Sequence, residues 1–254
     1  MWKKDLPQMR ALLILPLFLA QPMGAQTPDN FEQDVAASDP LRTAQAQELD
    51  AYIENMNRDE TRLQRMFHPD YRSRAAFVAS TQALRKAFAA SIGYPPPGPA
   101  ATDGARFERL GEDFIGTYYR AFIPVVHGVH AEGNYIVPRG VAGRVPLVIA
   151  MHGGRGSPEV ALFHGGGNYH DMVRGGVKRG YAVFAPQHLF QGPSFPEEIR
   201  DKIDRRLRLI GTSLTAIEIA KINRSLDVLL ARPEIDATRV AMVGLSYGGY
   251  YTLG

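Results

Sequence analysis

Ser246 stands between Gly244 and Gly248 in the run Arg239-Val240-Ala241-Met242-Val243-Gly244-Leu245-Ser246-Tyr247-Gly248-Gly249-Tyr250. The residues before Gly244 read as an apolar strand, and those after Ser246 read as the start of a helix. A serine at such a junction is a nucleophile elbow: the turn is sharp, and a side chain at either flanking glycine would collide where strand and helix nearly touch. A hydroxyl presented there is suited to acyl transfer. It is a poor nucleophile until an imidazole takes its proton, and the acyl oxygen needs hydrogen-bond donors as it gains charge.

Two donor sources are legible. The backbone N–H of Tyr247 follows the nucleophile at a helix start. The second donor is expected in His152-Gly153-Gly154-Arg155, which follows another apolar run and offers backbone free of side chains; Gly154 is favoured, with Gly153 or Arg155 next. The base is harder to find. All seven histidines, His68, His127, His130, His152, His164, His170 and His188, precede Ser246. Only His152 and His188 lie at ends of predicted strands, where sites of open α/β sheets form. Both are read chiefly as pocket or local hydrogen-bonding residues, with Arg155 beside them as a pocket candidate. His164 and His170 flank a triple glycine, but no zinc-binding pattern accompanies them, so no metal is expected. The triple glycine also lacks the Gly-Lys-Ser/Thr ending of a phosphate loop.

The elements that must position these groups follow from periodicity. Apolar residues at helical spacing run through Leu41, Leu49, Tyr52, Ile53, Met56, Leu63 and Met66, and a second helical run covers 74–92. Four prolines among residues 95–99 then end the helices, which places a domain boundary near residue 100. Short strands are predicted at 107–110, 117–123 and 133–137. The runs 146–151 and 181–186 are apolar on both faces, as buried parallel strands must be. Helices are predicted at 169–179 and 213–231, the latter with Thr215 and Glu218 as a capping box. The final strand is 240–245. Strands alternating with helices give an α/β fold, a mostly parallel sheet with helices on both faces. The basic stretch Arg200, Lys202, Arg205, Arg206 and Arg208 reads as a solvated helix face.

Composition narrows the function. Of 254 residues, 45% are hydrophobic, enough for a sizeable core. The formal charge is +3. Without Lys3, Lys4, Arg10 and Asp5, 26 basic residues face 25 acidic ones, which gives no phosphate-binding surface and no expected nucleic-acid partner. The amino terminus pairs those basic residues with a short apolar stretch and a small-residue exit. It is expected to be a secretory signal peptide, residues 1–25, cleaved after Ala25, leaving a periplasmic or secreted protein without a membrane partner. Ten apolar residues are too few for a membrane span, which needs about 20. The expected organisation is therefore a leader, a helical extension with a proline-rich linker at 26–100, and a catalytic domain at 101–254.

Several segments together resemble a family. Gly211-Thr212-Ser213-Leu214, Arg232-Pro233-Glu234-Ile235-Asp236 and Gly244-Leu245-Ser246-Tyr247-Gly248-Gly249 resemble secreted α/β-hydrolases of the dienelactone hydrolase and acetylxylan-esterase-like branch. Leu147-Val148-Ile149-Ala150-Met151-His152-Gly153-Gly154 is similar to their oxyanion strand and loop. The likeness covers about residues 107–254. It implies hydrolysis of small-molecule or carbohydrate esters without a cofactor, with Ser246 as nucleophile and an acid and histidine that follow the serine. No counterpart of that pair follows Ser246 in the sequence, so the chain is expected to be a fragment without turnover of its own. Its last strand is expected to form an apolar, aggregation-prone edge. Prolyl-oligopeptidase-like peptidases share the Gly-x-Ser-x-Gly-Gly turn and remain an alternative, as does a noncatalytic product.

Overall fold

The computed structural model describes residues 32–58, 61, 65–163, 169–189 and 195–253. The proposed leader, His164 and the triple glycine lie outside these. The chain separates into two compact units, Met1–Gln64 and Arg65–Gly254. In the first, a short 3₁₀ turn at Val35–Ser38 leads into α1, Asp39–Asn57. Every described side chain of α1 is at the surface, so the apolar spacing that predicts this helix is not matched by a buried face within its own unit.

The second unit begins with α2, Arg74–Ile92. Ser73 caps its start, accepting from the Ala76 N–H, and Gly93 ends it in the left-handed region at φ 73°. Thr212 and Ser213 donate their hydroxyls to the carbonyls of Gly93 and Ile92 at 2.8 and 2.7 Å. A Cβ on Gly93 would strike the backbone of Gly211, so only glycine permits this approach. The second helix of the expected extension thus lies within the same compact unit as the sheet.

Six strands form one sheet: β1 Arg106–Glu112, β2 Gly116–Val126, β3 Val129–Pro138, β4 Val145–Met151, β5 Ala182–Pro186 and β6 Ile235–Gly244. Their order is β1-β2-β3-β5-β4-β6. The fold is α/β, as the sequence predicts, with a mixed sheet. β4 runs parallel to β5 and β6, while β1, β2 and β3 join as an antiparallel arm. The reason is local. His127 and Gly128 have φ of 38° and 80°, and two successive positive values make the tight hairpin turn that reverses β2 into β3.

Helices cover both faces. They are α3 Pro158–Phe163, α4 Met172–Lys178, α5 Glu197–Leu209, α6 Leu214–Leu230 and α7 Tyr247–Leu253. Along β4, Leu147, Ile149 and Met151 join one apolar cluster with Ile222 and Leu229 of α6 and Tyr251 of α7. Ala150 turns to the other cluster, with Ala161 and Leu162 of α3 and Val173 and Val177 of α4. This alternation, with neither side facing water, is why the strand reads as a continuous apolar run.

Three local expectations change. Ser213, not Thr215, caps α6, accepting from the Ala216 N–H at 3.2 Å, and Glu218 is buried rather than reaching back to the cap. The short helix α3 was not expected, being only six residues long. The basic stretch does form a helix, α5, and most of it is solvated, but the Arg200 side chain is only 15% exposed, with its guanidinium 5.3 Å from the centre of the Tyr247 ring.

Candidate functional site

β6 ends at Gly244 and α7 starts at Tyr247, so the reversal is made by Leu245 and Ser246 alone. Ser246 has φ 53°, a conformation that costs a non-glycine residue free energy and concentrates at functional sites. The flanking glycines explain how the bend closes. A Cβ on Gly244 would fall on the carbonyl of Gly248, and one on Gly248 would fall on the carbonyl of Met151. Backbone bonds then fix the bend: Gly248 N–H to Leu245 O at 2.8 Å, Tyr250 N–H to Ser246 O at 3.0 Å, and Leu245 N–H to Met151 O at 3.3 Å. Ser246 is exposed at its apex.

The glycine loop after β4 lies against this bend. A Cβ on Gly153 would be 3.5 Å from the Ser246 Cβ and 3.2 Å from the Leu245 carbonyl. The two motifs, 93 residues apart in sequence, therefore share one corner, because β4 and β6 pair in parallel and both end there, with Met151 opposite Gly244. Within the loop, the Gly156 N–H bonds back to Gly153 O at 3.0 Å. The Gly153 N–H is donated to the Tyr169 hydroxyl at 2.8 Å. That amide is committed, whereas the Gly154 N–H has no partner among the described residues. Tyr247 provides the first amide of α7, and Arg155 is exposed at the loop's outer edge.

His152 and His188 lie beneath this corner rather than on its wall, at 1% and 0% exposure. Their rings stack 3.8 Å apart, nearly parallel. The His152 Nε2 accepts from the Gln187 amide at 3.2 Å and faces the His188 N–H at 3.4 Å, so its Nδ1 carries the proton and donates to Gly153 O at 2.8 Å. The His188 Nε2 donates to the carbonyl of His152 at 2.5 Å. Burial pushes both rings down to about 4, the neighbouring ring adding to the effect at His152, and Lys221 and Arg200 adding to it at His188. Two neutral, stacked imidazoles thus prop the loop and the helix start from below. Neither has a hydrogen bond to Ser246.

Sequence reasoning missed the tier that holds this stack. Glu218 of α6, 2% exposed, accepts from the Leu189 N–H at 2.9 Å and pairs with Lys221 at 3.0 Å. Lys221 also donates to Gln187 O at 3.0 Å. The ion pair clamps the segment after β5 that carries His188. On the other side, Glu159 at the start of α3 accepts from Arg120 at 2.9 Å and Asn134 at 3.1 Å, tying the end of the glycine loop to β2 and β3. The signal available was weak: Glu218 and Lys221 are three apart on a helix, a spacing ordinary on any solvated face. Among the described residues no cluster of three His, Cys, Asp or Glu side chains is placed to hold a metal ion. No described helix is long and apolar enough to cross a membrane.

No family model and no curated protein matches the chain significantly. Solved structures do. A Bacteroides fragilis protein assigned as an acetyl xylan esterase is similar over 72% of this chain and 50% of its own, with 18% identity and a TM-score of 0.58. A methylesterase is similar over 72% of this chain and 39% of its own, with 20% identity and a TM-score of 0.52. The fold is that of the α/β-hydrolases. A dienelactone hydrolase from Anabaena variabilis, at 20% identity, has a TM-score of only 0.37 over 54% of this chain and 56% of its own. The chain spans half the length, or less, of the first two relatives. Within the α/β-hydrolase sheet described above, the corner shared by β4 and β6 is the carboxyl end of the parallel strands, where open α/β folds bind their ligands.

Proposed function

We propose that the protein is a serine hydrolase of carboxylic esters, with Ser246 accepting the acyl group of an acyl or carbohydrate ester. The observation that carries this reading is the exposed Ser246, held at φ 53° on a bend that leaves no room for a Cβ at Gly244 or Gly248, against the glycine loop that follows β4. The Ser246 oxygen attacks the ester carbonyl and its proton passes to a base. The oxyanion is held by the amides of Tyr247 and Gly154, collapse expels the alcohol, and water releases the acid. The base is a histidine other than His152 and His188, because these two are buried beneath the corner, with both ring nitrogens of His152 and the Nε2 of His188 given to structural partners and neither bonded to Ser246. The esterase names of the solved relatives favour an ester over a peptide substrate. Residues 1–25 act as an export leader in this reading, and amino-terminal sequencing of the exported protein should begin at Gln26; a retained leader would refute that part alone.

The test uses the protein expressed from its whole reading frame. Ser246→Ala should abolish turnover of nitrophenyl acetate, and mass spectrometry of the wild type should find the acetyl group on Ser246. Full turnover by Ser246→Ala would sink the proposal. Faster cleavage of an aminoacyl anilide than of the acetyl ester would replace it with a peptidase. Assaying the 254-residue polypeptide beside any longer product of the same reading frame locates the base.

A further inference from the structure

Tyr169 makes a contact that no motif in the sequence announces. Its hydroxyl oxygen accepts the Gly153 N–H at 2.8 Å and sits in the concavity of the turn from Gly153 to Gly156, in the space a Cβ on Gly156 would need. Its ring packs against the apolar cluster that includes Ala150 and Leu162. The two residues that follow it, His170 and Asp171, both have positive φ, 47° and 56°. Of the four non-glycine residues described with positive φ, three therefore belong to this corner, the third being Ser246. Backbone strain of this kind persists only where the surroundings enforce it, and here it places one phenol.

The position of that phenol bears on the chemistry. The Tyr169 hydroxyl and the Ser246 Cβ both lie within 3.5 Å of the point where a Gly153 Cβ would be. Because the oxygen already accepts from Gly153, its own proton points elsewhere, and it has no acceptor among the described residues. A hydroxyl that accepts one hydrogen bond becomes a stronger donor of the next. We propose that the Tyr169 hydroxyl donates to the oxyanion formed at Ser246, with the Gly153 amide behind it as a polarising relay. The assignment rests on the nucleophilic role of Ser246. It adds a side-chain donor to the backbone amides of Tyr247 and Gly154, and gives the Gly153 N–H a catalytic use although it cannot reach the substrate itself.

The full-length protein and nitrophenyl acetate test this. Tyr169→Phe keeps the ring and removes the hydroxyl; kcat is expected to fall about 100-fold with KM within about threefold, while the acetyl adduct still forms on Ser246. A second set of proteins carries progressively fluorinated tyrosines at position 169, which keep the accepting oxygen but ionise at ever lower pH. Ionisation removes a donor, so the alkaline limb of kcat should move to lower pH along the series. A hydroxyl that only tethers Gly153 would survive ionisation and leave the limb in place. An unchanged kcat in Tyr169→Phe, or a stationary limb across the fluorinated series, overturns the assignment. Full turnover by Ser246→Ala, measured with Tyr169 intact, instead overturns the nucleophile reading beneath it.

Discussion

His152 and His188 read in the sequence chiefly as pocket or local hydrogen-bonding residues and act as buried struts in the fold, and their burial has a measurable consequence. Both rings titrate at about 4 in the folded protein, against 6.5 for an unperturbed histidine, because burial disfavours their charged forms. The unfolded chain therefore binds two more protons than the native one between those values. Stability from these rings is fully present above pH 6.5 and is lost as pH falls toward 4, by up to about 1.4 kcal/mol per pH unit for each ring. Carboxylates held low by their partners, such as Asp236 at about 2, do not take up protons in the upper part of that window. Urea midpoints measured at pH 7, 6 and 5 should fall steeply, and a flat profile would mean the stacked pair is not neutral and buried. Replacing one ring, as in His188→Gln, should roughly halve the slope.

At the level of elements, α6 is the part that connects everything else. Its capping residue Ser213 also bonds to the end of α2, its apolar side fills the core beside β4, and Glu218 with Lys221 grips the segment after β5. Glu218 is buried and the Lys221 side chain only 12% exposed, so removing one charge strands the other. Glu218→Gln should destabilise the protein by about 3 kcal/mol, and a paired Glu218→Leu, Lys221→Met replacement should cost clearly less than the single change. Chemical denaturation of both variants checks this; equal losses would show that packing, not charge pairing, sets the cost. The same segment supports His188, so the proposed ester turnover should drop with the single variant as well.

Across the whole molecule, β1 and β6 are the two strands whose far edges have no neighbour among the described residues, and along β6 Val240 and Val243 are exposed. An apolar strand with free backbone groups on one side is a template for pairing with another chain. The 254-residue polypeptide should therefore self-associate as its concentration rises, visible as growing particle mass in light scattering, and Val243→Lys should suppress this. A monodisperse, cooperatively melting polypeptide at high concentration would refute the expectation. The formal charge of +3 is too small to oppose such association strongly.

What the residues alone determined is whatever depends on short stretches of chain. The Gly-x-Ser-x-Gly bend, the apolar runs of β4 and β5, the α/β alternation and the end of α2 before the proline run follow from local sterics and from the period of apolar side chains. Only the folded chain decided which distant groups meet. It brought Gly153 against Ser246 through the parallel pairing of β4 with β6, turned His152 and His188 inward onto one another, and set Tyr169 into the glycine turn. Local pattern carries no information on such partners, because whether a histidine is a base or a strut depends on which hydrogen-bonding atoms and how much water surround it.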